Sequence, residues 1–164
     1  MIDPTWVEVA RRSIGVRELA GAPTAPVIAG WLQKLGAWWK DDETPWCGTA
    51  CAAWLTEAGL TPPKTWYRAR DWAAWGDALP APMLGAIVVF ERVGGGHVGI
   101  VVGIDVAGRL MVLGGNQGDR VCIAPFDRGR AVAFRWPPGA PSWATAAVAP
   151  PLMVSASASS ANEA

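Results

Sequence analysis

Apolar stripes at helical spacing occupy the first half of the chain, and runs rich in Val and Ile at strand length occupy the second. Pro80 and Pro82 mark the change. Helices first and strands afterwards predict an α+β fold, with N-terminal helices packed on a central antiparallel sheet. The 164 residues suit one domain with a sizeable core.

Asp3-Pro4 reads as a helix start, with Asp3 as cap and Pro4 at the first helical position. Trp6, Val7, Ala10 and Ile14 form its stripe and Gly15 ends it. A loop of small residues and prolines over 20–26 precedes a second stripe of Val27, Ile28, Trp31, Leu32 and Leu35, closed by Gly36. Thr44-Pro45 opens a third helix carrying Cys47, Cys51, Trp54, Leu55 and Ala58, and Gly59 stops it. Residues 64–76 have a weaker helical pattern. Strands are predicted over 86–90, 97–104, 109–113, 121–123 and 131–136. Beyond them the chain is rich in Ala, Pro and Ser. The expected division is one domain over 1–137 and a flexible tail over 138–164.

Composition excludes several functions. Fourteen basic residues balance fourteen acidic ones, so the basic excess of a nucleic-acid binder is missing. No apolar run reaches the roughly 20 residues that span a bilayer, so membrane insertion is not expected. Met1-Ile2-Asp3-Pro4 has no basic, apolar leader pattern, which points to synthesis in the cytoplasm. Three cysteines make a disulfide framework improbable. The 11 tryptophans are mostly core material, with some available to stack on sugars or rings.

Three positions can do chemistry together. Cys47 lies in the first turn of the third helix, where free amides and the helix dipole favour a thiolate. Cys51, one turn deeper, reads as a buried hydrophobe. His97, the single histidine, opens a strand after Gly94-Gly95-Gly96. If 105–108 form a four-residue hairpin loop, Ile104 pairs with Arg109 and His97 falls opposite Asn116. A bulge would shift the partner to Gly115 or Gln117. Either amide would supply the third group that holds a catalytic imidazole in one tautomer. A zinc site from Cys47, Cys51, Cys122 and His97 lacks the usual paired spacing. The triple glycine lacks the Lys-Ser or Lys-Thr of a phosphate loop.

At these residues the sequence resembles CHAP-type peptidases, cysteine- and histidine-dependent amidohydrolases of the NlpC-like, papain-fold group. The motifs are Pro45-Trp46-Cys47-Gly48, Gly96-His97-Val98-Gly99-Ile100-Val101 and Gly114-Gly115-Asn116-Gln117. Asp41-Asp42-Glu43, the segment from Ile14 to Glu18 and Arg135-Trp136-Pro137 extend the likeness, which is strongest to compact phage endolysins. The resemblance implies Cys47 as nucleophile, His97 as general base and Asn116 as orienting residue, with Gln117 the rival for that role. It implies bacterial peptidoglycan as substrate, cleaved at an amide or peptide bond through a thioester. No metal or organic cofactor is implied. The contiguous acidic residues lack the alternating ligands of a calcium loop. Gly48 departs from the family's larger residue or alanine, and is expected to loosen local packing.

Trp38, Trp39, Trp46 and Trp66 are candidate substrate contacts. The alternatives are an antibacterial effector with the same chemistry and a non-catalytic cell-wall-binding module. A lysin made in the cytoplasm would need a holin to reach the wall, and a monomer is the default expectation.

Overall fold

The computed structural model describes residues 3–21, 24–42, 44–144 and 152–155. Three helices come first: α1 (Thr5–Arg11), α2 (Pro26–Lys34) and α3 (Cys47–Glu57). The strands are β1 (Asp77–Ala78), β2 (Ile87–Arg92), β3 (Gly95–Asp105), β4 (Leu110–Gly114), β5 (Cys122–Phe126), β6 (Ala131–Trp136) and β7 (Val154–Ser155). They form one sheet in the order β1-β6-β2-β3-β4-β5, antiparallel throughout, with β7 added parallel to β3. The α+β expectation holds, and the arrangement is consistent with a CHAP, papain-like fold.

Helix α3 is central. From Cys47 to Leu55 every residue is buried, because the helix lies between α1 and α2 on one side and the sheet on the other. Its small residues Gly48, Ala50, Cys51, Ala52 and Ala53 let neighbours approach closely. Strand periodicity divides the sheet's apolar residues. Ile87, Val89, Val98 and Ile100 join the helices and buried tryptophans in the larger core. Val88, Phe90, Val101 and Val112 form a second core on the opposite face with Phe126. Indole N–H groups in the larger core find acceptors: Trp6 donates to Gly85 O, Trp54 to Ser13 Oγ and Trp72 to Trp66 O. Burying those rings therefore leaves these donors paired.

Several local expectations shift. Asp3 makes no cap bond to α1, whose N-cap is Pro4. Its carboxylate pairs with Arg11 one face along. Helix α3 begins two residues after Pro45, so Cys47 is its first residue. Thr44 instead hydrogen bonds Asp41 through both its amide and its hydroxyl. The weak helical pattern over 64–76 yields only a 3-10 turn at Ala69–Ala74.

The β3–β4 hairpin also differs in its turn. Asp105 accepts hydrogen bonds from the Ala107 and Arg109 amides and from Arg109 Nε. This holds Arg109 in the turn, and Ile104 pairs with Leu110. A register shift between Val101 and Gly103 then restores Ile100 opposite Leu113, the alignment a four-residue loop would have produced.

Much of the expected tail (138–164) lies outside the described residues. Of its described stretches, two are docked on the domain. Pro141 accepts a hydrogen bond from Trp136 Nε1, and Ala140 and Trp143 pack against the larger core. Met153 O accepts from Ile104 N, and Leu152 packs on the second core. Gly103 permits this approach, since a Cβ there would lie 2.8 Å from Met153 O.

Candidate active site

Cys47 is 5% exposed, at the start of α3. Burial pushes its thiol pKa up. A hydrogen bond and favourable charge interaction with His97, helped by the backbone amides of Val98 and Gly48, outweigh this and hold it below the ordinary thiol range. Cys51 has the opposite balance. Burial, with the nearby Cys47 charge second, raises its thiol far above the ordinary range. It remains a thiol that donates to Val98 O. One residue of β3, Val98, thus serves both cysteines, its N–H facing Cys47 and its carbonyl facing Cys51.

Gly48 is a packing requirement. A Cβ there would overlap Trp66 O, which Trp72 Nε1 pins at 2.9 Å. The expectation that Gly48 loosens packing is therefore corrected: it admits a buried carbonyl against the helix that Cys47 begins.

His97 is 1% exposed. Its ring stacks on Phe126 at 5.5 Å and 10°, and lies nearly parallel to Phe90 at 6.2 Å. Its Nε2 meets Gln117 Oε1 at 2.9 Å. The direction of that bond follows from the rest of the amide. Gln117 Nε2 donates to Cys122 O at 2.9 Å and to Val112 O at 3.2 Å. Both are acceptors, so the nitrogen must face them and the oxygen must face the imidazole. His97 Nε2 then carries the proton, and Nδ1 presents a lone pair for the Cys47 thiol.

The amide that meets His97 is thus that of Gln117, the rival, and the expected Asn116 has a different place. Strand β4 ends at Gly114, short of the register that would set residue 116 opposite His97. Asn116 has φ +58°, a left-handed conformation that Asn tolerates better than most residues. It turns the chain so that Gln117 points back to the imidazole. Gly114 leaves room for that return, since a Cβ there would overlap Gln117 Oε1 and approach His97 Nε2 at 3.3 Å.

The segment after α1 braces this loop. Gly15 N donates to Val121 O, Val121 N to Val16 O and Glu18 N to Asp119 O. Glu18 also accepts from Trp46 Nε1 at 3.1 Å, tying the loop to the residue before Cys47. The bracing role of Glu18 was not visible in spacing, because it joins parts of the chain that only the fold brings together.

The thiol opens on a cleft of about 320 Å³ lined by Tyr67, Arg68, Arg70, Arg92 and Gly94–Gly96. Arg70 clamps the glycine turn by donating to Gly95 O at 2.7 Å and Arg92 O at 2.9 Å. Of the four candidate substrate-contact tryptophans, Trp46 and Trp66 are buried in the core. Trp39 is half-buried and Trp38 is 89% exposed. Asp42, in the acidic run, is buried, and its carboxylate accepts from the Leu19 and Ala25 amides. Its role is to fasten the loop before α2.

No curated protein and no solved structure matches the chain. A family model does match, over residues 39–116, the stretch that contains Cys47, His97 and Asn116. Its family, the CHAP domain, comprises cysteine amidases and peptidases that act on peptidoglycan. With a buried Cys–His pair at a helix start and an α+β fold of the expected kind, residues 39–116 match the CHAP domain.

Proposed function

We propose that the protein hydrolyses an amide bond in the peptide part of bacterial peptidoglycan, with Cys47 as nucleophile, His97 as general base and acid, and Gln117 as the orienting residue. The observation that carries this reading is the fixed amide of Gln117 on His97 Nε2, which leaves Nδ1 for the thiol. His97 takes the Cys47 proton, and the thiolate attacks the substrate carbonyl carbon. The backbone N–H of Cys47, free at the helix start, stabilises the oxyanion. Collapse forms a thioester while His97 protonates the leaving amine. Water, deprotonated by His97, attacks the thioester, and the acid leaves as Cys47 recovers its proton.

The biological setting we infer is lysis of the cell wall by a phage-type lysin acting after release through a holin. Its support is the ordered set of Cys47, His97 and Asn116-Gln117 motifs with the terminal Arg135-Trp136-Pro137. A neighbouring holin gene is the expected finding, whereas a neighbouring immunity gene would reassign the protein as an antibacterial effector.

The test of the chemistry uses purified peptidoglycan, wild type and Cys47→Ala, with mass spectrometry of soluble fragments. Fragments from wild type alone are expected, and their masses name the bond. Equal release by both proteins would overturn the nucleophile. Wall binding without release by either would leave a binding module.

A further inference from the structure

A groove at Cys47 and a second groove share two lining residues. The cleft at the thiol is lined on one side by Tyr67 and Arg68. The same two residues line a second groove of about 440 Å³, whose other side is Trp38, Trp39, Asp41 and Thr44. They adjoin at Tyr67 and Arg68, as two arms with Cys47 in one and Trp38 in the other.

The two arms differ in chemistry. The far arm is an aromatic ledge built on the core. Trp39 packs on buried Trp66 at 5.6 Å and on Tyr67 at 5.5 Å, and Trp38 stands edge-on to Trp39 at 5.4 Å. Trp66 is the residue whose carbonyl lies against Gly48, so the ledge is rigidly connected to the nucleophile's helix. An indole 89% exposed contributes little burial to the fold. What it offers is a flat apolar face with an N–H at its edge, suited to a sugar ring.

The near arm is cationic. Arg68, Arg70 and Arg92 line it against one carboxylate, Asp71, in a chain whose formal net charge is zero. Arg70 is engaged with the glycine turn. Arg68 is exposed, with its guanidinium 5.8 Å from the Tyr67 ring centre, and forms no ion pair among the described residues. It stands where the arms meet, and its planar fork matches a carboxylate.

We propose that the two arms bind a glycan-linked acidic peptide as one unit: a sugar on the Trp38–Trp39–Tyr67 ledge, a peptide carboxylate at Arg68 and the scissile amide at Cys47. The inference rests on the hydrolase reading above and adds to it. The substrate is held through its sugar as well as its peptide.

The test measures binding by calorimetry in the Cys47→Ala protein, which retains both arms. The probes are an N-acetylglucosaminyl-N-acetylmuramoyl tetrapeptide and the same tetrapeptide without sugar. The sugar-bearing probe should bind about tenfold more tightly, the scale of one good aromatic contact. Adding Trp38→Ala should erase that difference and leave the affinity for the bare peptide unchanged. Adding Arg68→Gln should weaken both probes about tenfold. Equal affinity for the two probes, a sugar preference that survives Trp38→Ala, or no binding of either probe would overturn the proposal. Hydrolysis of peptidoglycan by the wild type is scored separately. Hydrolysis without a sugar preference removes this inference alone, and a sugar preference without hydrolysis removes the hydrolase reading alone.

Discussion

Replacing Gln117 by alanine separates two candidate orienting residues that are adjacent in sequence. The amide makes four hydrogen bonds, accepting from His97 Nε2 and donating to Cys122 O, Val112 O and Cys122 Sγ. Removing it leaves the buried Nε2–H without its acceptor, and a buried polar group stranded in this way costs about 1–3 kcal/mol. A cavity of side-chain size adds to this, so the expected loss of stability is about 2–4 kcal/mol. The imidazole also loses the contact that selects its tautomer. We expect kcat/KM to fall about 10²- to 10³-fold, equivalent to about 2.7–4 kcal/mol of barrier. Asn116→Ala should cost less than about tenfold in rate, because its contribution is a left-handed turn worth about 1–3 kcal/mol of conformational strain. The assay is fragment release from peptidoglycan at a temperature where thermal melts show every variant folded. If folded Gln117→Ala keeps activity within about threefold of wild type, or Asn116→Ala loses more than Gln117→Ala, the orienting role assigned to Gln117 is wrong.

Three further outcomes follow from the site. Gly114→Ala should lower activity at least about tenfold while leaving most of the stability, because its Cβ enters the His97–Gln117 contact; unchanged activity would mean that this contact does not matter. Gly48→Ala, a favourable change for an exposed helix, should here destabilise by about 2–4 kcal/mol because Trp66 O occupies the space, and a melting temperature at or above that of wild type would contradict this. Iodoacetamide should modify Cys47 and spare Cys51, with the Cys47 reaction persisting below the ordinary thiol pH range. His97→Ala should shift that profile upward, since burial remains and the opposing interactions are lost. The folded Cys47 ionises below its unfolded value. Its ionisation therefore favours the fold at pH above the ordinary thiol range, and that contribution is lost as pH falls through the folded value. Peptide mapping after alkylation at several pH values tests all of this, and equal labelling of both cysteines would refute the assigned environments.

Much of the fold was legible in local patterns. Cys47 at a helix start, Gly36 and Gly59 as helix stops, and the alternation through β2 and β3 follow from backbone preferences and burial periodicity, which act over a few residues. The Cys and His of the site were also within reach, because a helix start and a strand start each announce themselves locally. Where the reading depended on a turn, it slipped. Asp105 gathers the Ala107 and Arg109 amides and moves the hairpin by one residue, and the register shift near Val102 moves it back.

The third residue shows the boundary between sequence and structure most clearly. The residues themselves determined that an amide side chain follows β4 near the level of His97, and that Cys47 begins a helix. They favoured Asn116 by hairpin register, with its neighbour Gln117 reached through a bulge of one residue. Only the tertiary structure shows which amide meets His97. The strand stops at Gly114, Asn116 takes a left-handed turn, and two backbone carbonyls claim the Gln117 nitrogen so that its oxygen faces the imidazole. The same holds for the tryptophans. Their number was plain from the start, but burial of Trp46 and Trp66 and exposure of Trp38 were decided by which side of a loop met the core, a choice set by contacts between segments far apart in the chain.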